Sequence, residues 1–434
     1  MAKQLASPSR THMMSLMALV CFANYLLRAS LGACAVVMAA ELKWDISAKA
    51  SLLSAFFWGY FSFNIFGAAL TARFGGRVAL GLAAASWSAC YIAVPFAAES
   101  GFRSLWACLL VFGVSQAPLL AASSHVIAVS SAPSERGRVI AVRGVALRVG
   151  QALSTLLTPM LCKTVGWRFI FHTFGLISAF AALLWTSLAV VEPHADYESS
   201  DSEVPTCERE VKGSADTGNC CAGVQSIVPL QELRHLGVWA LMLCHCSVNA
   251  ASYTLMSWGP TYFAEVLKVP LESVGPALTL PVVTIAIGGY GSGLFMDRLF
   301  RRGTSLLSIR KHVIVSLLVL ASLLLAPLGY VRSAGLACLI LGLVFGALGA
   351  VDTGMMANYV DVAPHSTATV VGFGNALATL PGALGPGLIA ALLDATHSWS
   401  SVFALIGLFM LAAACFFQVH GVAEDVCRKQ RQMS

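Results

Sequence analysis

The stretch Gly67-Ala-Ala-Leu-Thr-Ala-Arg-Phe-Gly-Gly-Arg77 follows the second long apolar segment of the chain, and Gly293-Leu-Phe-Met-Asp-Arg-Leu-Phe-Arg-Arg302 follows the eighth. Each stretch places the small residues of a helix end against a short basic turn. A matching element at the same place in each half of a chain indicates a fold built from two related halves.

The composition commits most of the chain to a membrane. Of its 434 residues, 57% are hydrophobic and only 11% are charged, whereas soluble domains have about 25% charged residues. A membrane-spanning helix needs about 20 apolar residues. Twelve such segments are found: 13–40, 48–72, 78–98, 104–131, 137–162, 167–191, 236–264, 274–297, 311–331, 334–360, 367–393 and 399–420. We therefore predict an all-α membrane protein with twelve transmembrane helices in two pseudo-symmetric six-helix bundles.

A polar stretch separates the two predicted halves, and the basic residues predict their orientation. With both termini in the cytoplasm, 17 of the 27 Lys and Arg residues lie on the cytoplasmic side and 7 on the other, as the positive-inside rule requires. This bias does not distinguish a plasma membrane from an organelle. The predicted regions are a cytoplasmic N-terminal tail (1–12), an N-terminal half (13–191), a cytoplasmic linker (192–235), a C-terminal half (236–421) and a cytoplasmic tail (422–434).

Several function classes find no support in the sequence. The net charge of +6 comes from basic residues beside helix ends, so it does not indicate a nucleic-acid partner. No nucleotide-binding loop, catalytic triad or metal-ligand cluster is evident, so we expect neither an enzyme nor a cofactor. The expected partners are the lipid bilayer and a small solute, and we expect the protein to work as a monomer.

The two basic turns resemble the cytoplasmic signature loops of the major facilitator superfamily. The first copy departs from the pattern at Ala72, where the family has an acid, and the second keeps the acid as Asp297. The residues that carry this resemblance are Gly67, Arg73, Gly75, Arg77, Gly293, Asp297 and Arg298.

Further motifs are similar to one branch, the anion:cation symporters, which include vesicular glutamate transporters, sialin, sodium/phosphate cotransporters and plant plastid phosphate transporters. They are Ser54-Ala-Phe-Phe-Trp-Gly-Tyr60, Ala132-Pro-Ser-Glu-Arg-Gly-Arg138 with Glu135 and Arg136, Ser308-Ile-Arg-Lys311, and Asn358-Tyr-Val-Asp-Val-Ala-Pro364 with Asp361. The resemblance implies a secondary transporter that moves a small organic or inorganic anion, of phosphate or carboxylate type, by alternating access. It also implies coupling to co-transported H⁺ or Na⁺.

Charged residues inside the apolar segments point to the same solute without the resemblance. Arg28, Arg143 and Arg148 lie within segments that hold one interior carboxylate, Asp352. A charge at mid-membrane costs about 3 kcal/mol on insertion scales, so such residues are functional candidates. A positive interior favours an anion, which a guanidinium binds through paired hydrogen bonds. Whether Arg143 and Arg148 line the cavity stays open at this stage.

Polar residues at helical spacing complete the predicted site. On the seventh segment, His245, Asn249 and Tyr253 lie one turn apart and form a polar stripe. His245 and Asp352 are candidates for coupling or gating, and a pair between Arg28 and Asp352 is one hypothesis, with a fixed structural pair as its alternative. The predicted solute-binding residues are Asn24, Arg28, Tyr60, Asn64, Gln116, Arg148, Asn249, Tyr253 and Asn375.

Two other functions remain open. Where vesicular glutamate transporters carry charges, this chain has Leu109 and Gln116 on its fourth segment and Val248 on its seventh, which argues against glutamate transport of that type. The protein is alternatively a diverged carrier of a neutral or zwitterionic solute, or a sensor or scaffold that kept the fold and does not transport.

Overall fold

The protein is described by a computed structural model that covers residues 8–131, 133–189, 231–363, 367–424 and 426. These residues form α-helices with short 3₁₀ and π turns, and the described ranges contain no β-strand. Ten of their helices are long and apolar enough to cross a membrane. The predicted all-α membrane fold is confirmed. Residues 192–230 of the predicted linker lie outside the described ranges, as do most of both predicted tails.

The N-terminal half, called here the N-half, contains six membrane segments built from six helices. Its helices are α1 (Pro8–Glu41), α2 (Ile46–Glu99), α3 (Phe102–Gln116), α4 (Leu119–Ser130), α5 (Pro133–Thr164) and α6 (Trp167–Leu188). The long α2 is interrupted at Gly75, whose φ of 76° is a left-handed value that only glycine adopts freely. It therefore supplies two segments, whereas α3 and α4 form one segment that is broken next to Pro118, which has no N–H to donate.

The C-terminal half, called here the C-half, repeats this plan. Its helices are α7 (Leu236–Thr261), α8 (Leu271–Arg301), α9 (Leu306–Leu325), α10 (Ala334–Val362), α11 (Thr367–Leu377), α12 (Leu380–Thr396) and α13 (Trp399–His420). A π-helical turn, Tyr262–Val266, extends α7, and α11 and α12 form one segment broken at Ala378 and Thr379. The described helices thus make twelve segments, six in each half.

Each half has its own hydrophobic core, and corresponding helix pairs pack in the same way. Trp87, Trp167 and Trp185 are fully buried in the N-half, as are Tyr262 and Tyr359 in the C-half. In the N-half, a Cβ added to a glycine of either α2 or α3 would collide with the backbone of the partner helix. In the C-half the same holds for α8 and α10, and the four glycines are Gly59, Gly113, Gly288 and Gly349. Small residues allow this close helix approach in membranes.

The two halves contact each other mainly through α1 with α7, α2 with α12, and α5 with α8. Because twelve segments cross the membrane, the first described residue, Pro8, and the end of α13 at His420 lie on the same side of the bundle. We call this the terminal side and the other the opposite side. A functional site shared by both halves must lie near these three helix pairs.

Candidate functional site

Arg28 lies in the middle of α1 with its guanidinium surrounded by aromatic rings. The side chain is 5% exposed. The guanidinium carbon lies 4.9 Å from the ring centroid of Phe56 and 5.0 Å from that of Tyr60, both on α2. The other three rings of this aromatic cage are those of Tyr25 at 5.7 Å, Phe57 at 5.5 Å and Tyr253 at 5.4 Å. Four rings belong to the N-half, and Tyr253 on α7 belongs to the C-half, so the cage spans the interface.

The cage leaves hydrogen-bonding capacity of Arg28 unused. Among the described residues, Nε and Nη2 of Arg28 have no hydrogen-bond partner, and no carboxylate lies within ion-pair distance. Asn24, one turn earlier on α1, is fully buried, and both atoms of its amide are also without a partner. Further buried amide atoms in the same condition belong to Asn64, Gln116 and Asn358. Buried polar groups normally have partners, so the Arg28 and Asn24 side chains are available to bind a polar group or water.

The predicted polar stripe on α7 is divided between two environments. Asn249 donates hydrogen bonds to the carbonyl oxygen of Ala378 at 3.0 Å and to the hydroxyl of Tyr253 at 3.3 Å. The Tyr253 ring lies 4.7 Å from the ring of Phe57 across the interface between the halves. His245, in contrast, is buried within the C-half, with Nδ1 3.4 Å from the hydroxyl of Tyr359.

The remaining predicted lining residues lie on α2 and α11. Tyr60 is 9% exposed and belongs to the aromatic cage. Asn64 lies one turn further along α2 with its amide nitrogen buried. Asn375 is partly buried on α11, close to the break in the eleventh segment, and its carbonyl oxygen accepts a hydrogen bond from Thr379 at 2.8 Å.

Arg148 on α5 lines a cavity between the halves. Its Nη1 donates to Oε1 of Gln151 at 3.1 Å, and no carboxylate of the described residues lies within ion-pair distance. The cavity has about 580 Å³ of space not filled by protein atoms. Its polar lining comes from α5 and α7, and its apolar lining also comes from α1, α8 and α10. The lining includes Ala33, Arg148, Gln151, Thr155, Ser252 and Phe345.

Arg143 is held within the N-half. Its Nη1 donates to the hydroxyls of Ser123 at 3.0 Å and Ser124 at 2.9 Å, both on α4. Of the two arginines of α5, Arg148 therefore lines the cavity, whereas Arg143 joins two helices of the N-half.

The hypothesised pair between Arg28 and Asp352 is not formed within the described residues. The Arg28 guanidinium points between α2 and α7, into the aromatic cage. Asp352 lies on α10 of the C-half, and it forms no ion pair within the described residues. The pair does not form because rings of α1, α2 and α7 surround the Arg28 guanidinium.

Two ion pairs that the sequence did not predict join the halves, and both lie on the opposite side. Lys49 Nζ, near the start of α2, is 3.2 Å from Glu265 Oε1 in the π-helical turn after α7. Lys163 Nζ, near the end of α5, is 2.6 Å from Glu272 Oε1 at the start of α8. The sequence shows four charges at helix ends but gives no signal of which ones meet. In the described residues, the ion pairs between the halves thus lie on the opposite side.

The first signature turn packs against neighbouring helices of the N-half. The Trp185 indole donates to the carbonyl oxygen of Arg77 at 3.0 Å, and Arg77 donates to the carbonyl oxygen of Thr186 at 3.5 Å. After the break at Gly75, the Gly76 N–H donates to Nδ1 of His125 at 3.3 Å. Gly67 accepts a hydrogen bond from Thr71, and Arg73 lies over the ring of Phe74.

The C-half signature residues include one buried ion pair. Arg310 Nε donates to Oδ2 of Asp361 at 2.8 Å, with side chains 10% and 17% exposed. Asp297 is exposed, like Arg298, and its carbonyl oxygen accepts a hydrogen bond from Arg301 at 3.3 Å; Gly293 lies one turn earlier on α8. Pro364 lies outside the described residues, as do the side chains of Glu135 and Arg136.

Comparison with known families identifies this arrangement. Residues 17–386 match the description of the Major Facilitator Superfamily. The chain belongs to the Major Facilitator Superfamily. Solved structures of transporters show the same fold. A D-xylose–proton symporter aligns with a TM-score of 0.73 at 13% identity, and the alignment covers 95% of this chain and 97% of that one. A bacterial homologue of the human lysosomal transporter Spinster, in an inward-facing and unoccupied conformation, aligns with a TM-score of 0.69 at 17% identity, covering 96% of each chain.

Curated relatives within the superfamily are those that the sequence motifs indicated. "Probable anion transporter 4, chloroplastic" of Oryza sativa is 28% identical over 94% of this chain and 68% of its own length. The chloroplastic ascorbate transporter of Arabidopsis thaliana is 27% identical over 94% of this chain and 75% of its own length. Human sialin is 25% identical over 88% of this chain and 77% of its own length. The predicted resemblance to the anion:cation symporter branch is confirmed.

Proposed function

We propose that the protein is a secondary transporter that moves a small anion, of phosphate or carboxylate type, across a membrane by alternating access. The observation that carries this proposal is Arg28, a buried guanidinium at the interface of the halves that has unused N–H donors and no carboxylate partner among the described residues.

The aromatic cage makes this charge tolerable without satisfying it. A cation over an aromatic ring gains about 0.5–2 kcal/mol, so several rings offset a mid-membrane penalty of about 3 kcal/mol. The π faces do not, however, accept the hydrogen bonds that Nε and Nη2 offer. A carboxylate or phosphate oxygen accepts such bonds in pairs, and the buried Asn24 beside Arg28 offers a further donor. The site is therefore suited to an anion that enters between the halves.

The names of the relatives support the same solute class. They include probable anion transporters, an ascorbate transporter and a sodium-dependent phosphate transport protein from plants, together with sialin. The finer features of the proposal are co-transport of H⁺ or Na⁺, both termini in the cytoplasm and a functional monomer. The orientation is supported by the excess of basic residues in the loops of the terminal side.

The test is exchange of labelled solute in proteoliposomes. Inorganic phosphate, ascorbate, N-acetylneuraminate and glutamate are offered one at a time, with D-xylose as a neutral solute. We expect exchange of at least one anion and its loss in Arg28→Gln. The matched control is Arg143→Gln, which removes an arginine whose hydrogen bonds within the described residues go to Ser123 and Ser124 of the N-half, and it should retain anion exchange.

The outcomes separate the candidate functions. Exchange of D-xylose without any anion would establish the neutral-solute carrier instead. If Arg28→Gln exchanges an anion with the KM and rate of the unsubstituted protein, Arg28 is not the binding group and the argument above is wrong.

A further inference from the structure

The cavity at Arg148 has one polar wall. Arg148, Gln151 and Thr155 follow each other at intervals of three and four residues, so their side chains share one face of α5. All three line the cavity, and α7 adds the hydroxyl of Ser252. Apart from the hydrogen bond between Arg148 and Gln151, these four side chains have no hydrogen-bond partner in the part of the chain that the structure describes. The wall thus offers N–H and O–H donors to a ligand.

The walls from the C-half helices α8 and α10 are apolar. From α8 come Leu278, Val282 and Ile285, which are spaced by four and three residues along one helical face, and from α10 comes Phe345. Within the described lining, Arg148 supplies the only charge, and no carboxylate accompanies it. A cavity with one cation and apolar walls matches a ligand with one negative charge and an apolar body.

The single charge of the lining distinguishes between classes of anion. A monocarboxylate carries one negative charge, which one guanidinium binds through paired hydrogen bonds. A phosphate group carries about 1.5 to 2 negative charges at pH 7. Its surplus charge would be buried against the apolar side chains of α8 and α10, which is costly because nothing there compensates it. The cavity therefore favours a monocarboxylate over inorganic phosphate.

Two side chains limit how long the apolar body can be. Leu255 of α7 and Phe345 of α10 line the Arg148 cavity and also a neighbouring pocket within the C-half. The aromatic residues that enclose this pocket are Trp258, Tyr262, Trp399 and Phe403. Phe345 is buried, so a shorter side chain at this position would join the two spaces. The size of Phe345 thus sets the chain length that the cavity accepts.

We infer that the Arg148 cavity is a second anion site, which binds a monocarboxylate with a short apolar chain. The carboxylate accepts hydrogen bonds from Arg148, with the hydroxyls of Thr155 and Ser252 as further donors, and the chain lies against α8 and ends at Phe345. The residues that line the cavity are distinct from those of the aromatic cage around Arg28. The site therefore goes beyond the transport proposed above and does not depend on it.

The test is binding of straight-chain acids to the detergent-solubilised protein, measured by isothermal titration calorimetry. The background is Arg28→Gln, which removes the guanidinium of the aromatic cage and leaves that of Arg148. Affinity should rise about fourfold for each methylene from acetate to butyrate and should stop rising before octanoate. The neutral butyramide should not bind. An affinity that keeps rising through octanoate, as partition into the micelle would give, or equal binding of butyramide, overturns the inference.

Substitutions on α5 locate the carboxylate. In the same background, Arg148→Gln should weaken butyrate binding by about tenfold or more, because it removes a charge-assisted hydrogen bond, and Arg148→Lys should recover part of that loss. The matched control is Arg143→Gln, whose hydrogen bonds go to Ser123 and Ser124 of the N-half. It should bind butyrate within about threefold of its background. An unchanged affinity in Arg148→Gln overturns the inference.

Phe345→Ala tests the limit on chain length with a readout that simple destabilisation would not give. By joining the two spaces it should raise the affinity for octanoate relative to butyrate by about tenfold. Phe417→Ala removes a fully buried phenylalanine of the C-half that lines neither space and should leave this preference unchanged. Valine replaces alanine at either position if the protein does not fold. An unchanged preference at Phe345 overturns the placement of the chain.

A measurement on the unsubstituted protein avoids dependence on how the variants fold. At a saturating concentration of inorganic phosphate it should still bind butyrate, whereas complete displacement by phosphate overturns the assignment to a monocarboxylate. If butyrate binding requires Arg148 but no anion exchanges in proteoliposomes, the proposed transport is wrong and the second site stands.

Discussion

The two ion pairs on the opposite side predict how the conformational equilibrium of the protein can be shifted. Lys49 with Glu265 and Lys163 with Glu272 join the halves on the opposite side. Alternating access requires these contacts to separate when the opposite side opens. Glu265→Gln should therefore raise the population of the state that is open on the opposite side, and the double variant with Glu272→Gln should raise it slightly further.

The size of the shift follows from how each pair is buried. Lys49 has a side chain that is only 6% exposed, while Glu265 is 58% exposed. Loss of Glu265 leaves the ammonium with the Thr261 hydroxyl at 3.3 Å and the Trp258 ring at 5.2 Å. A hydrogen bond to a charged group contributes about 1.5 kcal/mol or more when one partner is desolvated, and about 1.4 kcal/mol is a tenfold change in an equilibrium constant. We therefore expect about a tenfold shift for Glu265→Gln. The Lys163–Glu272 pair is exposed and screened, so Glu272→Gln should add at most about a twofold shift.

The populations can be read from distances between spin labels on the two halves. Labels at Arg103 and Tyr330, both exposed on the opposite side, should report a longer distance when that side opens. The control is Glu41→Gln, which breaks the ion pair of Glu41 with Arg168 at 2.7 Å on the same side but within the N-half. It should leave the distance distribution unchanged. An unchanged distribution in Glu265→Gln, or an equal shift in Glu41→Gln, would refute the reasoning.

Two further predictions concern packing and stability. Gly32→Ala should shift the same spin-label distances towards the open state, because an added Cβ would collide with the backbone of Met256 in the other half. Gly113→Ala places the Cβ against the backbone of Phe56 inside the N-half, so it should lower the melting temperature without shifting the distances. Equal effects of the two variants on the distances would contradict this distinction. Asp361→Asn should destabilise the detergent-solubilised protein by about 3 kcal/mol, because it leaves Arg310 buried without its carboxylate, and an unchanged melting temperature in a thermal-shift assay would show that the pair contributes nothing.

The membrane fold was predictable because its main determinant is local. Apolar segments of sufficient length must become helices in lipid, where each backbone polar group needs an internal partner. The repeated basic turns then revealed the two halves. The breaks were harder to predict, although Gly75 and Pro118 carry a signal for them, because the single left-handed residue Gly75 is enough to divide Ile46–Glu99 into two helical segments without a longer loop.

The partners of the charged residues could not be predicted, because they depend on how distant helices face each other. The sequence indicated that Arg28 and Asp352 are functional candidates and suggested that they pair. A helix-wheel argument gives the face of one helix, but the rotation of α1 relative to α10 is fixed by packing that the sequence does not reveal. The pairs Lys49–Glu265 and Lys163–Glu272 join residues more than a hundred positions apart, and no spacing rule applies to them.

The division of the aromatic cage between the halves links the charge of Arg28 to alternating access. Tyr25, Phe56, Phe57 and Tyr60 belong to the N-half and move with Arg28, whereas Tyr253 belongs to the C-half. When the halves rock as rigid bodies, four rings keep stabilising the guanidinium and only the contact with Tyr253 changes. Arg28 thus stays compensated enough to remain in the membrane in both states. The ring of Tyr253 also receives a hydrogen bond from Asn249 at its hydroxyl, and we expect it to be the part of the cage that moves relative to Arg28 during transport.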